Sequence, residues 1–322
     1  MAEGSWSSRC RDRRSTDPHR SRGPHPHRSN HVDGLGGSLS VAPVDILSLE
    51  AGESGSAADH EGIVSLANGN FLISSEGTGR EPRRPPAIDE YSSTGSFLRR
   101  LPLPDHFVPE PTGPVSRGAR GNAGFESLTL SPDADRLFTA TETALIQDGP
   151  TATFEAGTET RLLEYDAHGG TFRPAREFIY HLEKLDRPPF KPGVFVNGLV
   201  ELLALNRSTL LALERSYVAD EGKTAASRNG IRLYRISLAG ATDVSALESI
   251  KGRTDVVPVT KTLLLDLSAV PGLSPQLAPA LDNFEGMAVG PRLPDGRATL
   301  ILVSDDNFAA SQRTWFLVFA IE

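Results

Sequence analysis

The chain has 322 residues, 38% hydrophobic and 23% charged, with a formal net charge of −8, an ordinary balance for a globular protein. The negative charge disfavours general nucleic-acid binding, and no apolar run is long enough to predict a membrane-spanning helix. The single cysteine, Cys10, excludes disulfide scaffolds, CxxC zinc sites and thioredoxin-type redox chemistry, so any metal is expected to take oxygen ligands.

In chain order, residues 1 to about 38 stand apart. The stretch "RCRDRRSTDPHRSRGPHPHRSNH" concentrates Arg, His, Pro and Ser with almost nothing apolar to bury. It holds His19, His25, His27 and His31, but at spacings that fit neither a helix face nor a strand. The expectation is a disordered or mistranslated leader over 1–38, without the apolar core of a secretory signal. Residues 39–322 are then one domain.

Within that domain a unit recurs four times: an acid, a short apolar strand, a turn, a second strand, and a trailing acid. The copies are "HEGIVSLANGNFLISSEG", "FESLTLSPDADRLFTATE", "VELLALNRSTLLALER" and "DNFEGMAVGPRLPDGRATLILVSDDNF". The leading acids are Glu61, Glu126, Glu201 and Glu285; the trailing acids are Glu76, Glu142, Glu214 and Asp305. Gly, Pro, Asn and Asp fill the turns, where they supply the needed backbone angles. In "SLTL", Leu128 and Leu130 share one face, whereas "FLIS" and "LILV" are continuously apolar, as in strands covered on both sides.

Further strand candidates follow each hairpin, such as "RLLEYDAHGGTFRPAREF" and "GIRLYRISLAG". Each sector therefore reads as a four-stranded antiparallel blade, and the chain as an all-β propeller with a disordered N-terminal leader. The leading acids lie 65, 75 and 84 residues apart, wider than the roughly 40–45 residues of a compact blade. Long loops are expected at "DHFVPEPTGPVSRGARGN" and "YVADEGKTAASRNG". From Glu285 onward 38 residues supply only three strands. "SLSVAPVDILSL", residues 38–49, is the candidate to complete the last blade.

Equivalent positions of successive blades meet around a propeller axis, so repeated acids converge there. Carboxylates so close raise one another's pKa or demand a cation. Ca²⁺, with six to eight oxygen ligands in loose geometry, suits them. The metal candidates are Glu61, Glu126, Glu285 and Asp305, with amide oxygens from Asn197, Asn283 and Asn307. The competing reading has each acid bound to backbone amides of the next blade, closing the ring. Glu201 fits the repeat least closely, because Leu202 follows it where the other leading acids precede Gly or Ser. Arg215 suits an anionic substrate or an ion pair within the ring. No GxSxG, HExxH or P-loop motif occurs.

The segments "GFESLTLSPD", "NGLVELLAL…LLALERSY" and above all "DNFEGMAVGPRLPDGRATLILVSDDNF…QRTWFLVF" resemble the phytase-like esterase family, described as having esterase-like activity of phytase. The resemblance runs from about Asp59 to Glu322. It implies a propeller that hydrolyses phosphate or other esters, in proteins that are often exported to the periplasm or secreted. This chain departs at its start, where the Arg/His/Pro leader replaces an opening sector and no signal peptide is seen. A frameshift or misassigned start is the expected cause.

Two function classes follow. One is a calcium-assisted hydrolase of a small phosphoester or ester, with Glu126, Glu285 and Asp306 as catalytic candidates and Arg215, Asn283 and Asn307 on the substrate. Few cations flank the repeats, which favours a less charged ester than phytate; a lactone-cleaving calcium propeller is a lesser variant. The other is a non-catalytic propeller that binds a ligand or partner protein, its acids serving blade closure.

Overall fold

A computed structural model describes residues 6–10, 46–52, 58–188, 190–222, 227–270, 273 and 281–321. Its elements are almost entirely strands. Blade 1 contains β1 (Trp6–Cys10), β2 (His60–Ser65), β3 (Phe71–Ser75), β4 (Ala87–Tyr91) and β5 (Phe97–Arg100). Blade 2 contains β6 (Thr129–Leu130), β7 (Arg136–Ala140), β8 (Thr158–His168) and β9 (Thr171–Leu182). Blade 3 contains β10 (Pro192–Ala204), β11 (Thr209–Asp220), β12 (Ser227–Ser237) and β13 (Thr260–Asp266). Blade 4 contains β14 (Asn283–Gly290), β15 (Ala298–Asp305) and β16 (Phe316–Ile321).

Every strand pairs antiparallel with its sequence neighbour within its blade. The first strands of successive hairpin repeats adjoin: β2 packs beside β6, β6 beside β10, and β10 beside β14, while in blade 1 a further strand, β1, pairs with the edge of β2 away from β3 and lies next to β14. This is the all-β propeller arrangement expected from the repeats. Among the described residues helix is confined to short turns, such as Asp105–Phe107 and Leu267–Ala269, and no helix is long and apolar enough to cross a membrane.

The core lies between blades. Val64, Leu72, Ile88, Leu128, Leu137 and Leu163 fill the space between blades 1 and 2. Phe138, Leu162, Tyr180, Leu202, Leu210 and Tyr234 fill that between blades 2 and 3. Leu203, Leu211, Leu233, Phe284, Met287 and Leu302 join blades 3 and 4. Neighbours in sequence thus point into different cores: Leu137 and Phe138, Leu162 and Leu163, Leu210 and Leu211. A central blade is buried on both faces, so its strands read as unbroken apolar runs. Each such side chain contributes about 1.5–3 kcal/mol on burial.

Two expectations need revision. Tyr217–Gly230 is mostly strand rather than loop, because β11 continues to Asp220 and β12 starts at Ser227. Residues 46–49 form no strand on blade 4; this segment runs beside the β4–β5 turn of blade 1, where Glu50 N donates to Gly95 O at 2.8 Å. The remainder of the expected closing strand, residues 38–45, lies outside the described residues. Part of the expected leader, Trp6–Cys10, forms β1, and the rest of it is likewise outside the described residues.

Long connections tie blades together. The β12–β13 connection crosses to the outer strand of blade 2, where Val244 N donates to Glu177 O and Val259 N to Ile179 O, both at 2.9 Å. Ile179, Val244 and Ile250 form a small core beneath it.

Candidate functional site

One irregularity recurs in all four inner hairpins. The pairing passes from His60↔Ser75 to Ile63↔Ile73 in blade 1, and from Phe125↔Thr141 to Thr129↔Phe138 in blade 2. It passes from Leu199↔Glu214 to Glu201↔Leu213 in blade 3, and from Phe284↔Ser304 to Gly286↔Val303 in blade 4. Each inner strand therefore carries one extra residue at the same level. Such bulges bend a strand and re-aim the side chain they carry. The residue after the last regular pair is Glu61, Glu126, Val200 or Glu285. Opposite, the residue after the partner is Glu76, Glu142, Arg215 or Asp305.

This register corrects the sequence alignment of blade 3. Glu201 is one position past the bulge, and its Oε1 accepts from the adjacent Leu202 N at 2.9 Å. Glu214 matches Ser75, Thr141 and Ser304 rather than the trailing acids. It turns towards blade 2, whose Tyr180 Oη donates to its Oε1 at 2.7 Å, and Lys261 Nζ on β13 of its own blade pairs with the same oxygen. The physical reason is the two-residue period of a strand, in which a shift of one swaps the faces. At the two ring positions blade 3 thus offers Val200 and Arg215 in place of acids.

The acid end consequently has two unlike halves. On blade 1, carboxylate oxygens of Asp59, Glu61 and Glu76 all lie within 4.8 Å of one another. Glu61 and Glu76 are buried and Asp59 half-buried. Burial pushes the His60 imidazole below its ordinary pKa, against the opposing pull of Asp89 and Asp59. Burial thus disfavours the charged form of His60. Glu126, also buried, occupies the equivalent of Glu61 on blade 2. The inner strands of these blades approach closely, because a Cβ on Gly62 would stand 2.5 Å from Leu128 N.

On the other half, Arg215 Nη2 donates to Glu285 Oε1 at 2.6 Å and reaches Glu142 Oε1 at 3.4 Å. Asn283 Nδ2 donates to the second oxygen of Glu285 at 2.6 Å. One guanidinium thus joins blade 2, blade 3 and blade 4, with both it and the two acids buried. Gly198, the cross-strand partner of Arg215, makes the contact feasible: a Cβ there would overlap the Glu142 side chain.

The remaining candidates shape local structure. Asp305 Oδ1 accepts from Asn307 N, and Asp306 Oδ1 from Phe308 N, both at 2.9 Å. Asp306 Oδ2 accepts from Thr314 Oγ1 at 3.3 Å. These bonds hold Asn307 and Phe308 at positive φ, 47° and 52°. Asn307 Nδ2 faces Gln312 Oε1, and Asn197 Nδ2 donates to Glu183 O. Asp59 escaped the sequence reading; its signal was an acid directly before "HEG", opposite Glu76 across the hairpin.

In chemical terms the blade 1 trio is an all-oxygen, anionic donor set that suits a hard divalent cation. Comparison with known proteins bears on its use. A model of the phytase-like family, described as esterase-like activity of phytase, matches residues 15–308. An uncharacterized secreted protein of Arthroderma benhamiae is similar, at 29% identity over 172 residues. The match takes in 47% of this chain and 30% of that protein, so the chain covers less than a third of its relative's length.

Proposed function

Since the chain belongs to the phytase-like family, we propose that it is a metal-assisted hydrolase of phosphoester or related ester substrates, acting at the acid end of the propeller. The observation that carries this reading is the convergence of Asp59, Glu61 and Glu76 within 4.8 Å. The donor set fits Ca²⁺: it consists only of carboxylate oxygens, and burial disfavours a positive charge on the neighbouring His60. Bound there, the ion would supply positive charge to the ester oxygens and lower the pKa of water.

The protein's own groups divide the remaining work. Glu126, at the equivalent position on the adjoining blade, is the general base of this reading, taking a proton from the attacking water. Glu285, held by Arg215 and Asn283, is fixed in place to orient the substrate. Arg215 spends its nearest donor on Glu285, so a substrate phosphate would compete with a carboxylate for it. This favours esters of low charge over phytate.

Release of nitrophenol from p-nitrophenyl acetate and p-nitrophenyl phosphate, with Ca²⁺ or with chelator, tests the reading. Turnover of at least one ester is expected, abolished by chelator and reduced at least about a hundredfold in Glu126→Gln, a loss in the range of general-base removal. Folded protein without chelator-sensitive turnover on either contradicts it. The Arg215 bridge supports a second reading, a non-catalytic propeller whose ring residues close the blades, and that result would favour it.

A further inference from the structure

The charge of the ring is settled differently on its two sides, and the difference has a structural source. Three blades place an acid at the trailing position: Glu76, Glu142 and Asp305. The fourth places Arg215 at the same register, opposite Gly198. Its guanidinium does not face solvent. It reaches carboxylates of two other blades, Glu285 at 2.6 Å and Glu142 at 3.4 Å, with Asn283 on the other oxygen of Glu285. Glu142 passes over the bare Cα of Gly198 to get there. Two acids from opposite sides are thus aimed at one point, and a cation occupies it.

We propose that Arg215 is a built-in counter-cation that fills a second cation position of the acid end and so limits the ring to a single exchangeable divalent ion, on Asp59, Glu61 and Glu76. The proposal rests on the metal reading above for the first position but not for the second. A tethered guanidinium cannot dissociate, and it donates hydrogen bonds to carboxylates in fixed directions. It therefore locks blades 2, 3 and 4 together at any calcium concentration. Closure of that half of the ring is constitutive, and only the blade 1 half responds to metal. Replacing the guanidinium with a neutral amide leaves Glu142 and Glu285 converging with no fixed charge between them, a geometry that recruits a divalent ion or a proton.

Equilibrium dialysis with radioactive Ca²⁺ at pH 7.5 reads the number of ions bound per chain. Wild type is expected to bind one, Arg215→Gln two, and the double variant Arg215→Gln/Glu285→Gln one again. Equal numbers in wild type and Arg215→Gln overturn the proposal. If wild type binds none and Arg215→Gln binds one, the counter-cation role stands and the metal reading of blade 1 fails, so the two are separable. Should Arg215→Gln unfold in chelator, Ca²⁺ is expected to restore its cooperative melting transition. Failure of millimolar Ca²⁺ to do so overturns the proposal equally.

Discussion

Arg161 on β8 is fully buried, and every donor edge of its guanidinium is used. Nε and Nη2 form a two-pronged pair with Asp148 at 2.7 and 3.0 Å; Nη1 reaches Glu177 at 3.0 Å and Leu247 O at 2.9 Å. His106, from the blade 1–blade 2 connection, sits 2.9 Å from both oxygens of Glu177. Asp148 also accepts from Ile250 N on the crossing β12–β13 connection. Burial pulls the guanidinium pKa down, and Asp148 and Glu177 more than reverse the effect. Replacing Arg161 with Met would leave two acids in the interior without their shared guanidinium, Glu177 keeping His106 and Asp148 keeping Ile250 N. Such a loss costs about 3–5 kcal/mol, which a urea unfolding curve should show as a large drop in midpoint at unchanged slope. Nothing in "TETRLLEY" marks this arginine as interior, because its partners lie 13, 16 and 86 residues away. The exposed pairs, such as Arg253 with Asp255, look the same in sequence and contribute little.

At the scale of the element, the hairpins and their turns were legible because both signals are local. Gly69 in "ANGN" takes φ +85° and Asn70 closes the turn, as the sequence suggested. The bulge was not legible, since it concerns how two strands pair and not what either contains. That is why Glu201 and Glu214 were aligned with the ring acids while Val200 and Arg215 hold the positions. A test of the element follows from Gly62, which lies in the blade 1 bulge against the backbone of blade 2. Its Cβ would meet Leu128 N at 2.5 Å and Ser127 C at 2.8 Å. Backbone cannot step aside as a side chain can, so Gly62→Ala should destabilise the protein by about 1–3 kcal/mol, the usual cost of overpacking. Gly149→Ala, where nothing lies within 4 Å, is the control and should change the melting temperature little.

For the whole molecule, radial repetition was readable from the recurrence of similar hairpins, but the departure from symmetry decides which ring acids meet a cationic side chain. Four equal acids would have made a uniform ring. Instead, three acids gather on blade 1, while one guanidinium bridges acids of blades 2 and 4 from blade 3. The candidate metal set of Glu61, Glu126, Glu285 and Asp305 came from treating the blades as equivalent. Spatial proximity groups Glu61 with Asp59 and Glu76, while Glu285 is engaged by Arg215 and Asn283. A ligand that binds only the folded state stabilises it by RT ln(1 + [L]/Kd), about 2.7 kcal/mol at a hundredfold excess over Kd. The most direct measurement is the melting temperature with millimolar Ca²⁺ and with chelator, for wild type, Glu61→Gln and Glu285→Gln. A calcium-dependent rise is expected in wild type, lost in Glu61→Gln and retained in Glu285→Gln on a less stable background. Identical wild-type curves with metal and chelator, or a rise that survives Glu61→Gln undiminished, would contradict a metal site on blade 1.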